Sequence, residues 1–157
     1  MEGLLTVKIL EHYQINERTM AIIPANQLNY QSIVIEAEVK LYIKKTPFEI
    51  IKRGCLENFS SYEGRRDAVT HLTGYKRKVP IPISVHRNIF VFPTHAVKDL
   101  DCCWIFYHHV ESIVEQKPNI KQSVILFKDG SEFIVNVSKS ELLKQLERTT
   151  FLLSLVR

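Results

Sequence analysis

The alternation of apolar and polar positions along this chain divides it into a strand-rich first third, a short helical middle and a second strand-rich stretch closed by a helix. Ile9 to Ile15 and Met20 to Ile23 flank Asn16-Glu17-Arg18-Thr19, a connection of hairpin length, and Pro24 ends the second run. Ile33-Val34-Ile35 and Val39 to Ile43 are β-rich, the latter alternating apolar with polar. Thr46-Pro47 is a helix start, threonine as N-cap and proline in the first turn, with Phe48, Ile51 and Leu56 on one face. Gly54 is expected to end that helix early. Ser61 caps a second short helix through Ala68 and Leu72, weakened by about 1 kcal/mol at Gly64.

Beyond Gly74 the pattern returns to strands. Pro80 and Pro82 exclude a central strand over Val79 to Ile83 and predict an extended edge or loop on the surface. Ile89 to Phe92, stopped by Pro93, Trp104 to Tyr107 and His109 to Gln116 are further strands. Asp129-Gly130 between Val124–Phe127 and Glu132–Val137 is a hairpin signal. Ser138 and Glu141 form an S-x-x-E capping box opening a last helix with Leu142, Leu143, Leu146, Thr150 and Leu153 at helical spacing. Phe90, Phe92, Trp104, Ile105, Val124, Leu126 and Leu146 are expected to be buried together. Strands with a few separated helices and no regular β-α alternation predict an α+β fold. Its sheet is mostly antiparallel, open or partly closed into a barrel, with a few short helices and a C-terminal helix. Residues 1–157 read as one domain without repeat or linker.

Composition narrows the function classes. With 45% apolar and 24% charged residues the balance is globular. No run of about 18 apolar residues exists for a membrane span, no secretory signal is visible, and three cysteines do not make a disulfide framework. These features point to the cytoplasm. The net charge of +4 is unevenly distributed: Lys40 to Lys98 holds 12 basic and 4 acidic residues, the rest 9 and 13. A local excess of +8 describes either an electropositive face for a polyanion or a lysine-rich solvated surface.

Candidate chemistry is sparse. Cys102-Cys103 and His108-His109, near Asp99 and Asp101, lack metal-ligand spacing and read as core, because adjacent strand residues point to opposite faces. There is no nucleophile elbow, glycine-rich phosphate loop or paired-carboxylate constellation, so the expectation is no enzyme, no metal and no cofactor. The basic residues Lys52, Arg53, Arg65, Arg66, Lys76, Arg77 and Lys78 recur with Tyr62 and Tyr75 beside them and with Asn58, Ser60 and Ser61 as further donors. Cations of this kind neutralise phosphates and enter a narrow minor groove. No helix-turn-helix spacing, zinc finger, basic zipper or RNA-recognition motif accompanies them.

Three motifs carry a family resemblance: Ser60-Ser61-Tyr62-Glu63-Gly64-Arg65-Arg66, Asn88-Ile89-Phe90-Val91-Phe92-Pro93-Thr94 and Cys102-Cys103-Trp104-Ile105. Ala21 to Pro24, Pro47 to Cys55, His109-Val110 and Arg148-Thr149 support them, so the match covers residues 11 to 152. In this order and register the chain resembles the bacterial competence transcription factor (ComK) family. That resemblance implies a cytoplasmic activator of the DNA-uptake programme, binding A/T-rich boxes of double-stranded DNA from the minor groove as a homo-oligomer, with bending of the duplex. The seven basic residues named above are the expected contacts on charge placement, Arg65 alone lying within a matching motif. Family members continue past the last helix into a tail that recruits an adaptor and an ATP-dependent protease, and that tail is absent here. The chain therefore reads as either a trimmed form or a short relative. A short relative is open to a second role, pairing with a full-length activator as an interaction module, with Phe151 to Val156 as core packing or dimer seam.

Overall fold

In a computed structural model that describes residues 8–156, ten strands and three helices are present among the described residues. In chain order they are β1 (Ile9–Leu10), β2 (Ala21–Pro24), β3 (Ser32–Glu36), β4 (Val39–Ile43), α1 (Pro47–Glu57), α2 (Tyr62–Thr73), β5 (Ile81–Ser84) and β6 (Ile89–Pro93). There follow β7 (Trp104–Phe106), a 3-10 turn (Tyr107–His109), β8 (Val110–Gln116), β9 (Asn119–Phe127), β10 (Glu132–Val135) and α3 (Lys139–Val156). Seven strands form one sheet in the order β1-β4-β3-β2-β7-β6-β5 and three form a second, β10-β9-β8. Every pairing is antiparallel except β1 with β4. The fold is α+β with a C-terminal helix, and the sheets stay open and do not close into a barrel.

Alternation along the central strands sends side chains to two separate apolar layers. Ile22, Val34, Val91 and Trp104 pack with Ile50, Ile51, Tyr62 and Val69 of α1 and α2. Ala21, Phe92 and Ile105 pack with Ile113, Ile125, Phe127 and Leu142 of the smaller sheet and α3. Trp104 lies in an aromatic group with Phe48, stacked at 6.4 Å, and Tyr62, edge-on at 6.4 Å. The single expected core is thus split in two. Leu126 and Leu146 are only half-buried, and Ile125, Phe127 and Leu142 fill the positions assigned to them.

Four local expectations change. Residues 11–20 do not pair with β2 as a hairpin; β1 is two residues long and runs parallel to β4. The segment is held instead by side chains, the buried Tyr13 hydroxyl meeting Thr19 Oγ1 and donating to Glu36. Gly54 does not stop α1. It sits inside the helix because a Cβ there would lie 2.6 Å from Ile15 Cδ1, so its role is close approach. β5 does form an edge strand, as its prolines demand, but Ile81 and Ile83 are fully buried under α1 and α2 and not on the surface. Finally, α3 turns Leu142, Gln145, Thr149, Leu152 and Leu153 inward, which leaves Leu143 and Phe151 exposed.

A basic loop gripped through its carbonyls

Capping residues fix the helices that carry the cations. Thr46 and Glu49 complete a reciprocal capping box at the start of α1, Glu49 N–H donating to Thr46 Oγ1 and Thr46 N–H to Glu49 Oε1. Ser61 Oγ accepts from Gly64 N–H at the start of α2, and Gly74, at φ +83, ends it in the left-handed conformation. Residues 75–78 then cross from α2 to β5.

That loop is organised by its backbone acceptors. Thr70 Oγ1 donates to the Tyr75 carbonyl at 2.7 Å, and Arg66 Nη2 donates to the Lys76 carbonyl at 3.0 Å. Arg148 Nη2 donates to the Arg77 carbonyl at 2.9 Å. The Lys78 carbonyl accepts from both Gln145 Nε2, at 2.9 Å, and Arg148 Nη1, at 3.2 Å. Four consecutive carbonyls are therefore each captured by a side chain of α2 or α3. With the carbonyls turned inward, the side chains of Lys76 and Arg77 stand exposed. Lys78, at φ +47, is half-buried, and its ammonium donates to Glu141 at 3.0 Å, which holds the Glu141 carboxyl below its ordinary range. The Arg148 guanidinium also lies 4.2 Å over the Tyr75 ring, and its burial lowers its pKa from the usual arginine value.

The seven expected contact residues divide by what holds them. Lys76 and Arg77 present free cationic ends, whereas Arg66 is anchored to the Lys76 carbonyl and lies 3.7 Å from Asp67. Arg65 donates to the Asn58 carbonyl at 3.2 Å, its Nε buried without a hydrogen-bond partner. Lys52 is exposed on α1 with its ammonium 5.3 Å from the Phe48 ring, and Arg53 pairs with Glu57 at 3.1 Å. Lys76, Arg77, Lys78 and Arg66 thus come together at one loop, while Lys52, Arg53 and Arg65 sit on the α1–α2 pair. Thr70, Gln145 and Arg148 were missed as site residues. Arg148 carried a signal, since it lies in a motif of the resemblance, but neither charge clustering nor helical spacing assigns it a role.

The two neighbouring cysteines are buried and the two neighbouring histidines half-buried. Cys102 and Cys103 are buried with their thiols directed at backbone carbonyls, and burial pushes their pKa values up to about 11 and about 12. His109 Nε2 bonds to the Glu17 carbonyl at 2.7 Å. Among the described residues no helix is long and apolar enough to cross a membrane.

A family model described as ComK protein matches residues 10–157. The chain belongs to the ComK family. It is 28% identical over 144 residues to the competence transcription factor of Bacillus subtilis (strain 168), an alignment covering 91% of this chain and 74% of that relative. No solved structure matches the chain. Within this ComK chain the motif Ser60 to Arg66 supplies the cap of α2 and both anchoring arginines, Arg65 and Arg66.

Proposed function

We propose that the chain is a sequence-preferring, DNA-binding transcription factor of the competence programme, working in the cytoplasm as one domain without catalytic activity or cofactor. The reading has it bind A/T-rich boxes largely through the minor groove, as a dimer or higher assembly. The observation that carries it is the loop whose four carbonyls are captured, because such a loop holds Lys76 and Arg77 outward at little further entropic cost on binding. The printed name of the Bacillus subtilis relative supports the same role. A minor-groove mode is supported by α2, whose exposed Glu63 and Asp67 repel phosphates and leave no basic helix face for the major groove. A loop cation gains most where A/T tracts narrow the minor groove and focus its negative potential.

The test is a gel-shift series on an A/T-rich duplex and on its inosine·cytosine counterpart, which keeps the minor-groove pattern and changes the major-groove face. Comparable affinity for both is expected, with competition by a minor-groove-binding drug. Binding abolished by inosine·cytosine and untouched by the drug would overturn the minor-groove reading. A second reading, a module that pairs with a full-length activator, is favoured by one observation: Leu143, Phe151 and Leu155 of α3 are each more than one-third exposed. Absent or salt-insensitive DNA binding would move the assignment there.

A further inference from the structure

The turn between α1 and α2 contains an aromatic residue in a place that both its backbone and its environment disfavour. Phe59 N–H donates to the Leu56 carbonyl at 3.1 Å and Ser60 N–H to the Cys55 carbonyl at 3.0 Å. These two bonds form a Schellman motif in which Phe59, at φ +63, occupies the left-handed position that glycine usually holds. A bulky side chain in that conformation is uncommon. Phe59 is also 100% exposed, with Leu56 beside it at 65%. Packing gives neither choice a compensation.

The turn is nonetheless rigidly made. Asn58 Nδ2 donates to the Gly54 carbonyl at 2.8 Å, Arg65 Nη2 donates to the Asn58 carbonyl, and Ser61 Oγ caps α2. An exposed apolar ring on a fixed tip is the device by which groove-binding proteins part a base step. The flanking helix ends carry a small excess of positive charge, Lys52, Arg53 and Arg65 against Glu57 and Glu63, with Arg53 paired to Glu57 and the Lys52 ammonium lying over Phe48, and Ser60 and Ser61 add hydroxyls. We infer that Phe59, backed by Leu56, is a wedge that inserts between stacked bases of duplex DNA. This rests on the DNA-binding reading above and assigns it a second contact. Because α2 has 12 residues, the wedge and the Lys76–Arg77 loop lie at opposite ends of a rod about 18 Å long. At about 3.4 Å per base pair, the parted step falls roughly five base pairs from the phosphates that the loop holds.

The experiment uses the full chain and an A/T-rich duplex with fluorophores at its ends and 2-aminopurine at successive positions. Phe59→Gly removes the ring and supplies the residue the backbone prefers, so it is expected to melt at or above the wild-type temperature. Wild type should bring the duplex ends together and brighten 2-aminopurine at one step. Phe59→Gly should bind within about tenfold of wild type but leave the duplex straight and the probe dark, while Phe59→Leu restores both signals. Bending and brightening by Phe59→Gly equal to wild type would overturn the wedge alone. Full bending joined to weakened self-association would overturn it too, assigning the ring to a copy–copy contact. No shift of the duplex by wild type would overturn the DNA-binding reading itself.

Discussion

Arg148→Met tests whether α3 holds the basic loop in place. The substitution keeps an unbranched chain over Tyr75 and removes the donors to the Arg77 and Lys78 carbonyls and to Gln145 Oε1 at 2.7 Å. Hydrogen bonds to charged groups contribute about 1.5–3 kcal/mol each, the cation–π contact about 0.5–1. Arg148 is half-buried, Arg77 is open to water, and the Lys78 carbonyl keeps Gln145, so the bonds are not fully additive. A loss of about 2–3 kcal/mol follows, which in a chain of this size lowers Tm by roughly 5–10 °C. Hydrogen exchange should show amides 76–79 losing protection ahead of the rest of the chain. Affinity for an A/T-rich duplex should fall while the slope of log K against log salt stays put, since Arg148 acts through the loop and not on phosphate. Arg148→Lys, with a single ammonium, should recover less than half of the stability. A melting point within a degree of wild type, with unchanged exchange at 76–79, would refute the clamp.

Removing Lys76 and Arg77 together, both to Ala, should leave Tm nearly unchanged and flatten the salt slope by about 3 to 4 for a bound dimer; an unchanged slope would take both residues out of the interface. Arg65→Ala should instead act on stability, because its guanidinium serves the α1–α2 turn; normal melting with weakened, less salt-dependent binding would place it on phosphate. Trp104→Ala should cost about 3–5 kcal/mol in urea titration, as the aromatic group with Phe48 and Tyr62 collapses; a loss under 1 kcal/mol would refute that packing. The Lys78–Glu141 pair lowers the folded-state pKa of Glu141, so its stabilisation is full above the unfolded carboxylate value near 4.5 and is lost as pH falls through the lower folded one. Wild type should therefore lose more Tm than Glu141→Gln between pH 7 and pH 3, and equal losses would remove the pair from the ledger.

What the sequence disclosed depended on how local each determinant is. Thr46, Pro47, Ser61, Gly74 and Asp129-Gly130 act within four residues of themselves, and each sits where its chemistry predicts. Gly54 was misread because its cause, the buried Ile15, lies 39 positions away and no helical pattern records it. The inward face of α3 was misread for a related reason. Gln145 and Thr149 look polar in isolation but are buried, the first by the carbonyls of Lys78 and Pro93 and the second by the Gln145 carbonyl. Charge clustering found the cations of the loop, yet it could not separate Lys76 and Arg77 from Arg66, whose guanidinium is spent on the backbone. That distinction exists only in the folded chain.

The two borders of the larger sheet restrict how copies of this protein can meet. At one border every residue of β5 is buried, Pro82 included, so that strand offers no open edge to a chain approaching from outside. At the other, among the described residues β1 pairs with Tyr42 and Ile43 of β4, and β4 also carries the exposed Lys40. A flat continuation of strands from one molecule into the next is discouraged on both sides. Assembly through the larger sheet is thereby disfavoured, which leaves β8 and β10 of the smaller sheet, the helices and the loops as the joining parts open to it. If copies line up along a duplex, as proposed above, the larger sheet adds no strand-to-strand bonds to hold them together once the DNA is released.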